Sequence, residues 1–143
     1  MTAGVAIRPC RPDECANVLE LWKDAEATPS VTDSVKELIR LVQENGDLFL
    51  IAQYHNRLVG TVIAGWDGWR GNIYRLAVLP EYRRQGIGKA LIQEVERRLS
   101  VRGTQRVSIL VEHEDALAVS FWDALSDMGY TRDLRIVRYV KTL

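Results

Sequence analysis

The stretch Leu76-Ala-Val-Leu-Pro-Glu-Tyr-Arg-Arg-Gln-Gly-Ile-Gly-Lys-Ala-Leu91 combines the parts of an anion site. An apolar run stops at Pro80, and a basic loop with two glycines follows. The loop leads straight into an amphipathic helical pattern. The first turn of a helix leaves backbone N–H groups without intrahelical acceptors, and the helix dipole adds positive character there. Gly86 and Gly88 would let a phosphate approach these amides closely, and Arg83, Arg84 and Lys89 would surround it with charge. Two other phosphate loops are excluded. A Walker A sequence needs Gly at Arg83 and Ser or Thr at Ala90, and a dinucleotide fingerprint needs a third Gly at Leu91. A tight strand-to-helix turn would use the same glycines, so the loop alone does not decide its role.

No metal constellation accompanies the loop. Cys10 and Cys15 are the only cysteines and lie too close together to staple a fold. His113-Glu114 begins like a zincin motif, but Leu117 stands where its second histidine belongs.

The elements that must position the loop follow from periodicity. Residues 5–10 predict an opening strand. A helix starting at Pro12-Asp13 has Cys15, Val18, Leu19 and Trp22 on one face. A second helix after Asp33 buries Val35, Leu38, Ile39 and Val42, with Asn45-Gly46 as its C-cap. Leu48–Tyr54 and Leu58–Trp66 form a hairpin, and Asp67-Gly68 turns the chain into a strand at Asn72–Leu79. From Gly86 to about Val101 a helix buries Ile87, Leu91, Val95 and Leu99. A strand at Arg106–Glu112, a helix at Ala116–Met128 capped by Gly129 and a last strand at Leu134–Val140 complete the chain. The fold class is α/β (mixed α+β), in the order βααβββαβαβ, with a central mixed sheet covered by helices. Residues 1–143 read as a single domain, without repeats or low-complexity tracts.

Arg83-Arg84-Gln85-Gly86-Ile87-Gly88 matches the [Arg/Gln]-x-x-Gly-x-[Gly/Ala] signature of the GNAT superfamily of N-acetyltransferases, and the flanking Leu-Ala-Val-x-Pro-x-Tyr-Arg and Ala-Leu match as well. The sequence resembles the small single-domain bacterial members from about Leu48 to Tyr130. The resemblance implies that helices cover both faces of the sheet. It also implies a direct transfer of acetyl from acetyl-CoA to a primary amine, on a small molecule or a peptide, in a ternary complex without a metal. The amides of Gln85, Gly86, Ile87, Gly88 and Lys89 would hold the pyrophosphate. The backbone of Leu76, Ala77 and Val78 would bind the pantetheine arm, and the Val78 amide would polarise the thioester carbonyl. The sheet would splay between this strand and the one at Arg106–Glu112.

Two positions depart from the family. Asp115 stands where an Asn contacting pantetheine is usual, and Trp122 where a Tyr that protonates the leaving thiolate is usual. An indole N–H donates a hydrogen bond but does not transfer a proton near neutral pH. Three further residues, Ser126-Asp127-Met128, precede Gly129-Tyr130 and add nearly one helical turn. Leaving as thiolate at pH 7 forfeits roughly 2 kcal/mol for a thiol of pKa ~8.5, so activity survives the loss, and Tyr130 or a water could serve as acid. Deprotonating a lysine-like amine costs about 4.6 kcal/mol at pH 7, against about 1.4 for an α-amine. Glu112 is the first candidate base, with His113, Tyr74 and Asp67 as others, and a solvated strand end is the alternative for Glu112. Trp66 and Trp69 could wall a cationic acceptor or merely cover the sheet edge. A protein N-terminal acetyltransferase and a weakly active CoA-binding sensor are the rival readings.

Nineteen basic residues balance nineteen acidic ones. A zero net charge argues against nucleic acid or an anionic membrane as a bulk partner. The sum hides blocks: Arg83 to Arg106 carries +5, and Val107 to Tyr130 carries −5. No apolar run reaches the ~18 residues of a membrane span, and Met1–Arg8 has no leader pattern, so the expected location is the cytoplasm. Homodimers are common in the family, but no feature here demands one.

Overall fold

The structure is a computed structural model and describes residues 3–143, so Met1 and Thr2 of the leader reading lie outside the described residues. The elements run β1 (Val5–Pro9), α1 (Cys15–Asp24), α2 (Val35–Asn45), β2 (Phe49–Tyr54), β3 (Arg57–Trp66), β4 (Gly71–Val78), α3 (Ile87–Val101), β5 (Val107–Ile109) and α4 (Ala116–Asp123). They fall into two compact units, Met1–Ile109 and Leu110–Leu143.

The first unit is a five-stranded mixed sheet in the order β1-β2-β3-β4-β5, antiparallel up to β4 and parallel between β4 and β5. Its centre is the apolar run Val59–Ala64 of β3, buried on both faces as central strands require. Successive residues of a strand point to opposite faces. The Gly60 face meets Ile87 and Leu91 of α3. Thr61, one residue on, accepts the indole N–H of Trp22 from α1 on the other face. The helices therefore cover both faces. The α3 stripe is as its period predicts: Ile87, Leu91, Val95 and Leu99 are buried, with Ile92 added.

Several boundaries differ from the sequence reading. In α1 the buried set is Cys15, Val18, Leu21 and Trp22, and Leu19 is only half-buried. Leu38 alone is fully buried in α2, and Gly46 has φ −59°, so it opens a 3₁₀ turn at Gly46–Leu48 rather than a left-handed cap. The β5 strand ends at Ile109 rather than Glu112. Its parallel ladder stops at Ile73↔Ile109, because β4 carries a bulge at the next residues.

In the second unit α4 ends at Asp123, and the three extra residues form a separate 3₁₀ turn, Ser126–Met128, closed by Gly129 at φ 94°. The expected last strand, Leu134–Val140, is absent among the described residues. Leu134, Ile136, Val137, Tyr139 and Val140 are exposed. Apolar alternation gives a segment the capacity for a strand, but a strand exists through its ladder, and these residues have none.

Cys10 and Cys15 are both free and buried, and desolvation pushes the Cys10 thiol up to about 12. On α3, Glu94 accepts from Arg97 and Arg98, and Arg98 also donates to the carbonyl of Asp47. The Arg97 hydrogen bond, followed by that from Arg98, holds the Glu94 carboxyl down at about 2. A depressed carboxyl stabilises the fold above its unfolded pKa, and this contribution is lost as pH falls through the folded value. Stability should therefore decline between about pH 4.5 and 2, with a shallower decline in Glu94→Gln. Urea titrations across that range measure the difference.

Candidate functional site

β4 bends at a bulge between the pairs Thr61↔Ala77 and Ile63↔Tyr74, where Arg75 adopts φ 49°. A non-glycine residue there is strained, and the surroundings hold it. Thr61 Oγ1 donates to the Arg75 carbonyl at 3.2 Å while accepting from Trp22 Nε1 at 2.8 Å. Beyond the bulge, Leu76–Val78 has β3 as its only strand neighbour among the described residues. β5 pairs with β4 along its whole length and ends at Ile109, so the expected splay between two strands is not observed.

The alternation of antiparallel bonding fixes where the Val78 amide points. Leu79 N donates to Val59 O, so hydrogen-bonded pairs recur at Thr61↔Ala77, and Gly60↔Val78 is a non-bonded pair. The N–H and C=O of Val78 are directed away from β3. Its carbonyl accepts from Arg83 Nε at 3.0 Å, as that direction requires.

A single 3₁₀ turn, Pro80–Tyr82, carries the chain from β4 to the basic loop. Arg84 has φ 63° and Gly86, the N-cap of α3, has φ 86°. Left-handed residues at these two positions turn successive amides toward one side, which makes a concave anion cradle. The first bond into the helix is Ala90 N to Gly86 O at 3.0 Å. The amides of Ile87, Gly88 and Lys89 thus precede the ladder and are the helix's orphan donors. An open concavity of about 650 Å³ flanks the loop, with Tyr54, Tyr82, Arg84, Gln85 and Gly86 among its walls. The group that fits such backbone is a phosphate or pyrophosphate.

Arg83 departs from its assigned place. Its Nε and Nη2 bond the carbonyls of Val78 and Ala25 at 3.0 Å each, so its side chain ties α1 to β4. Arg84 and Lys89 are the remaining basic side chains of the loop. On the far hairpin, Asp67 Oδ1 accepts from the amide of Arg70 and from that of Trp69, which lower its carboxyl pKa in that order. Asp67 is thus a turn residue, and the face of Trp69 is covered by Arg70 at 4.2 Å. Tyr74 lies across Gly65 of β3.

In the second unit, Asp115 is the N-cap of α4 and accepts from Ala118 N at 3.1 Å. Trp122 and Tyr130 meet ring to ring, with centroids 5.0 Å apart. Glu112 and His113 are exposed and lie on the loop between β5 and α4 rather than at a strand end. The Glu112 carbonyl accepts from Asp115 N.

Sequence reasoning missed the group formed by Arg75, Asp33 and Thr61. A hydroxyl inside the apolar run Val59–Ala64 was a usable signal for Thr61. Nothing in the residue type marks Arg75 as the bulge.

The sequence model of the acetyltransferase (GNAT) family matches residues 15–126. An acetyltransferase of Sodalis glossinidius is 33% identical over 119 residues, covering 83% of this chain and 84% of that protein. An acetyltransferase of Pectobacterium atrosepticum is 32% identical over the same share of each. Among solved structures, Ard1 from Thermoplasma volcanium superposes with a TM-score of 0.76 at 18% identity, covering 85% of this chain and 81% of that one. The PaiA N-acetyltransferase of Thermoplasma acidophilum, solved in complex with coenzyme A, gives 0.73 at 22% identity, covering 87% and 88%.

Proposed function

The chain belongs to the acetyltransferase (GNAT) family, and on that premise we propose that it moves acetyl from acetyl-CoA directly to a primary amine. The observation that carries this reading is the continuity of two backbone features. The Val78 amide is turned away from β3, and the loop after it ends in the amide cradle of Arg84–Lys89. Acetyl-CoA supplies an activated thioester and a pyrophosphate. The cradle would take the pyrophosphate, with Arg84 and Lys89 adding charge. Leu76, Ala77 and Val78 would bind the pantetheine through main-chain groups. The Val78 N–H would sit where negative charge develops on the carbonyl oxygen, the usual place for the largest electrostatic contribution.

Proton handling falls to Glu112 and Tyr130. Glu112 would take the ammonium proton of the acceptor, through a water if the reach demands one. Tyr130 would return a proton to the departing sulfur, with the Trp122 ring fixing its orientation at 5.0 Å. An α-amine asks least of such a base, which favours a peptide N-terminus over an alkylamine. A weakly active CoA-binding sensor is the second reading. It is favoured by Asp115 spending its carboxylate on the helix cap and by an indole at position 122.

Free-thiol release from acetyl-CoA across α-amine peptides, lysine-like amines and polyamines tests this assignment. Turnover on at least one class is expected, with Glu112→Gln lowering the rate at neutral pH and moving the rise of the pH–rate profile to more alkaline pH, and Tyr130→Phe lowering kcat by about 30-fold, the equivalent of roughly 2 kcal/mol. Binding of acetyl-CoA without release on any amine would leave the sensor reading in possession.

A further inference from the structure

The segment between α1 and α2 has little apolar material of its own: Thr28, Pro29, Ser30, Val31 and Thr32 are all exposed. Polar bonds to β4 hold it instead. The guanidinium of Arg75 donates through Nη1 to the Thr28 carbonyl and through Nη2 to Asp33 Oδ2, each at 2.6 Å. Both side chains of that ion pair are less than a fifth exposed. The same Asp33 oxygen accepts from Ser30 N, and Asp33 N donates to Ser30 O, so the pair also closes the loop's own turn. The Arg75 guanidinium rests 4.9 Å over the Trp22 ring of α1. Arg83 makes a second tie, to Ala25, from the other side of Leu76–Val78.

Two features set this apart from ordinary loop packing. The bulge needs a left-handed residue, a requirement Gly or Asn meets with less strain, yet the position holds an arginine whose two terminal nitrogens both bond the segment 28–33. A buried ion pair often adds little net stability, and in some proteins its role is to fix a particular arrangement. The arrangement fixed here is the register of residues 25–33 against the three residues assigned to the acyl donor.

We propose that Arg75 is a positioning residue for acetyl transfer. Its clasp on Thr28 and Asp33 sets segment 28–33 as a wall of the acceptor pocket, at the distance from Leu76–Val78 that admits the amine. The proposal rests on the reading of Leu76–Val78 as the donor strand. It makes the clasp a determinant of acceptor affinity and not of donor binding. Asp33→Asn keeps the turn with Ser30 but weakens the grip of Arg75. Arg75→Gly removes the grip while relieving the strained backbone, which separates the side chain from the bulge. Arg75→Lys keeps the charge but loses the two-point fork.

The experiment measures steady-state kinetics with an alanyl tripeptide amide and spermidine as acceptors, alongside amide hydrogen exchange of the full chain. Exchange in residues 28–33 should rise at least tenfold in Asp33→Asn and Arg75→Gly, with residues 76–78 unchanged. The acceptor KM should rise about tenfold or more in both variants, the KM for acetyl-CoA should stay within twofold, and Arg75→Lys should fall between. Unchanged exchange overturns the clasp. Unchanged acceptor KM with raised exchange overturns its role in positioning, and an equal rise in the acetyl-CoA KM assigns it to the donor side instead. A wild-type protein that transfers to neither probe, nor to any other amine of the α-amine, lysine-like and polyamine panel, overturns the amine-transfer reading and this inference with it, whereas a transferring wild type with an insensitive Asp33→Asn overturns the inference alone.

Discussion

Acetyl-CoA at about a hundred times its Kd is expected to raise the Tm by roughly 10 °C, and Gly86→Glu is expected to abolish the rise. Ligand at that excess stabilises the native state by about 2.7 kcal/mol. A chain of this size gains roughly 4 °C per kcal/mol. The substitution strikes the cradle in two ways. Gly86 sits at φ 86°, where any side chain is strained, so the amides of Ile87 to Lys89 shift with it. A carboxylate at the helix N-cap also places negative charge where the pyrophosphate would lie. Gly86→Ala separates these effects, since it carries the strain without the charge, and it should keep part of the shift. Differential scanning calorimetry with and without acetyl-CoA reads all three proteins. A wild type that does not respond at millimolar acetyl-CoA would refute the donor site, whatever the variants do.

The parts of this site that the sequence discloses are those with a period or a fixed backbone requirement. Ile87, Leu91, Val95 and Leu99 recur at a spacing of four, and a basic loop with two glycines stands just before them, so α3 and its loop were legible. The bulge was not, because it depends on how β4 pairs with β3, and an arginine at φ 49° leaves no trace in composition. The same gap hid the true use of Arg83. A basic residue beside a phosphate loop reads as a phosphate ligand until the carbonyls of Val78 and Ala25 are placed within reach. Asp115 was legible in another way than the family pattern suggested. An acidic residue just before an apolar helical run is an N-cap signature, and it accepts from Ala118 N accordingly. The segment 134–140 was over-read for the converse reason, since its residues suit a strand and only a neighbour could make it one.

Gly60→Val tests whether α3 must sit tightly on the sheet for the cradle to form. A Cβ at position 60 would lie 3.1 Å from Leu91 Cδ1 and 3.3 Å from both Ile87 Cγ2 and the Ala77 carbonyl. None of these can yield easily: both side chains are buried, and the carbonyl belongs to β4. The substitution should therefore lift the first turn of α3 from β3, at a cost of about 3 kcal/mol for an overpacked core and a Tm lower by roughly 10 °C. The amides of Ile87, Gly88 and Lys89 move with that turn, so the acetyl-CoA shift should shrink as well. Leu99→Ala supplies the comparison. It removes buried volume from the far end of the same helix, at a similar cost of ~2–5 kcal/mol. Because it leaves the first turn seated, it should retain the full acetyl-CoA shift. Equal loss of the shift in both variants would mean that ligand binding follows global stability. Loss in Gly60→Val alone would locate the requirement at the contact between β3 and the start of α3.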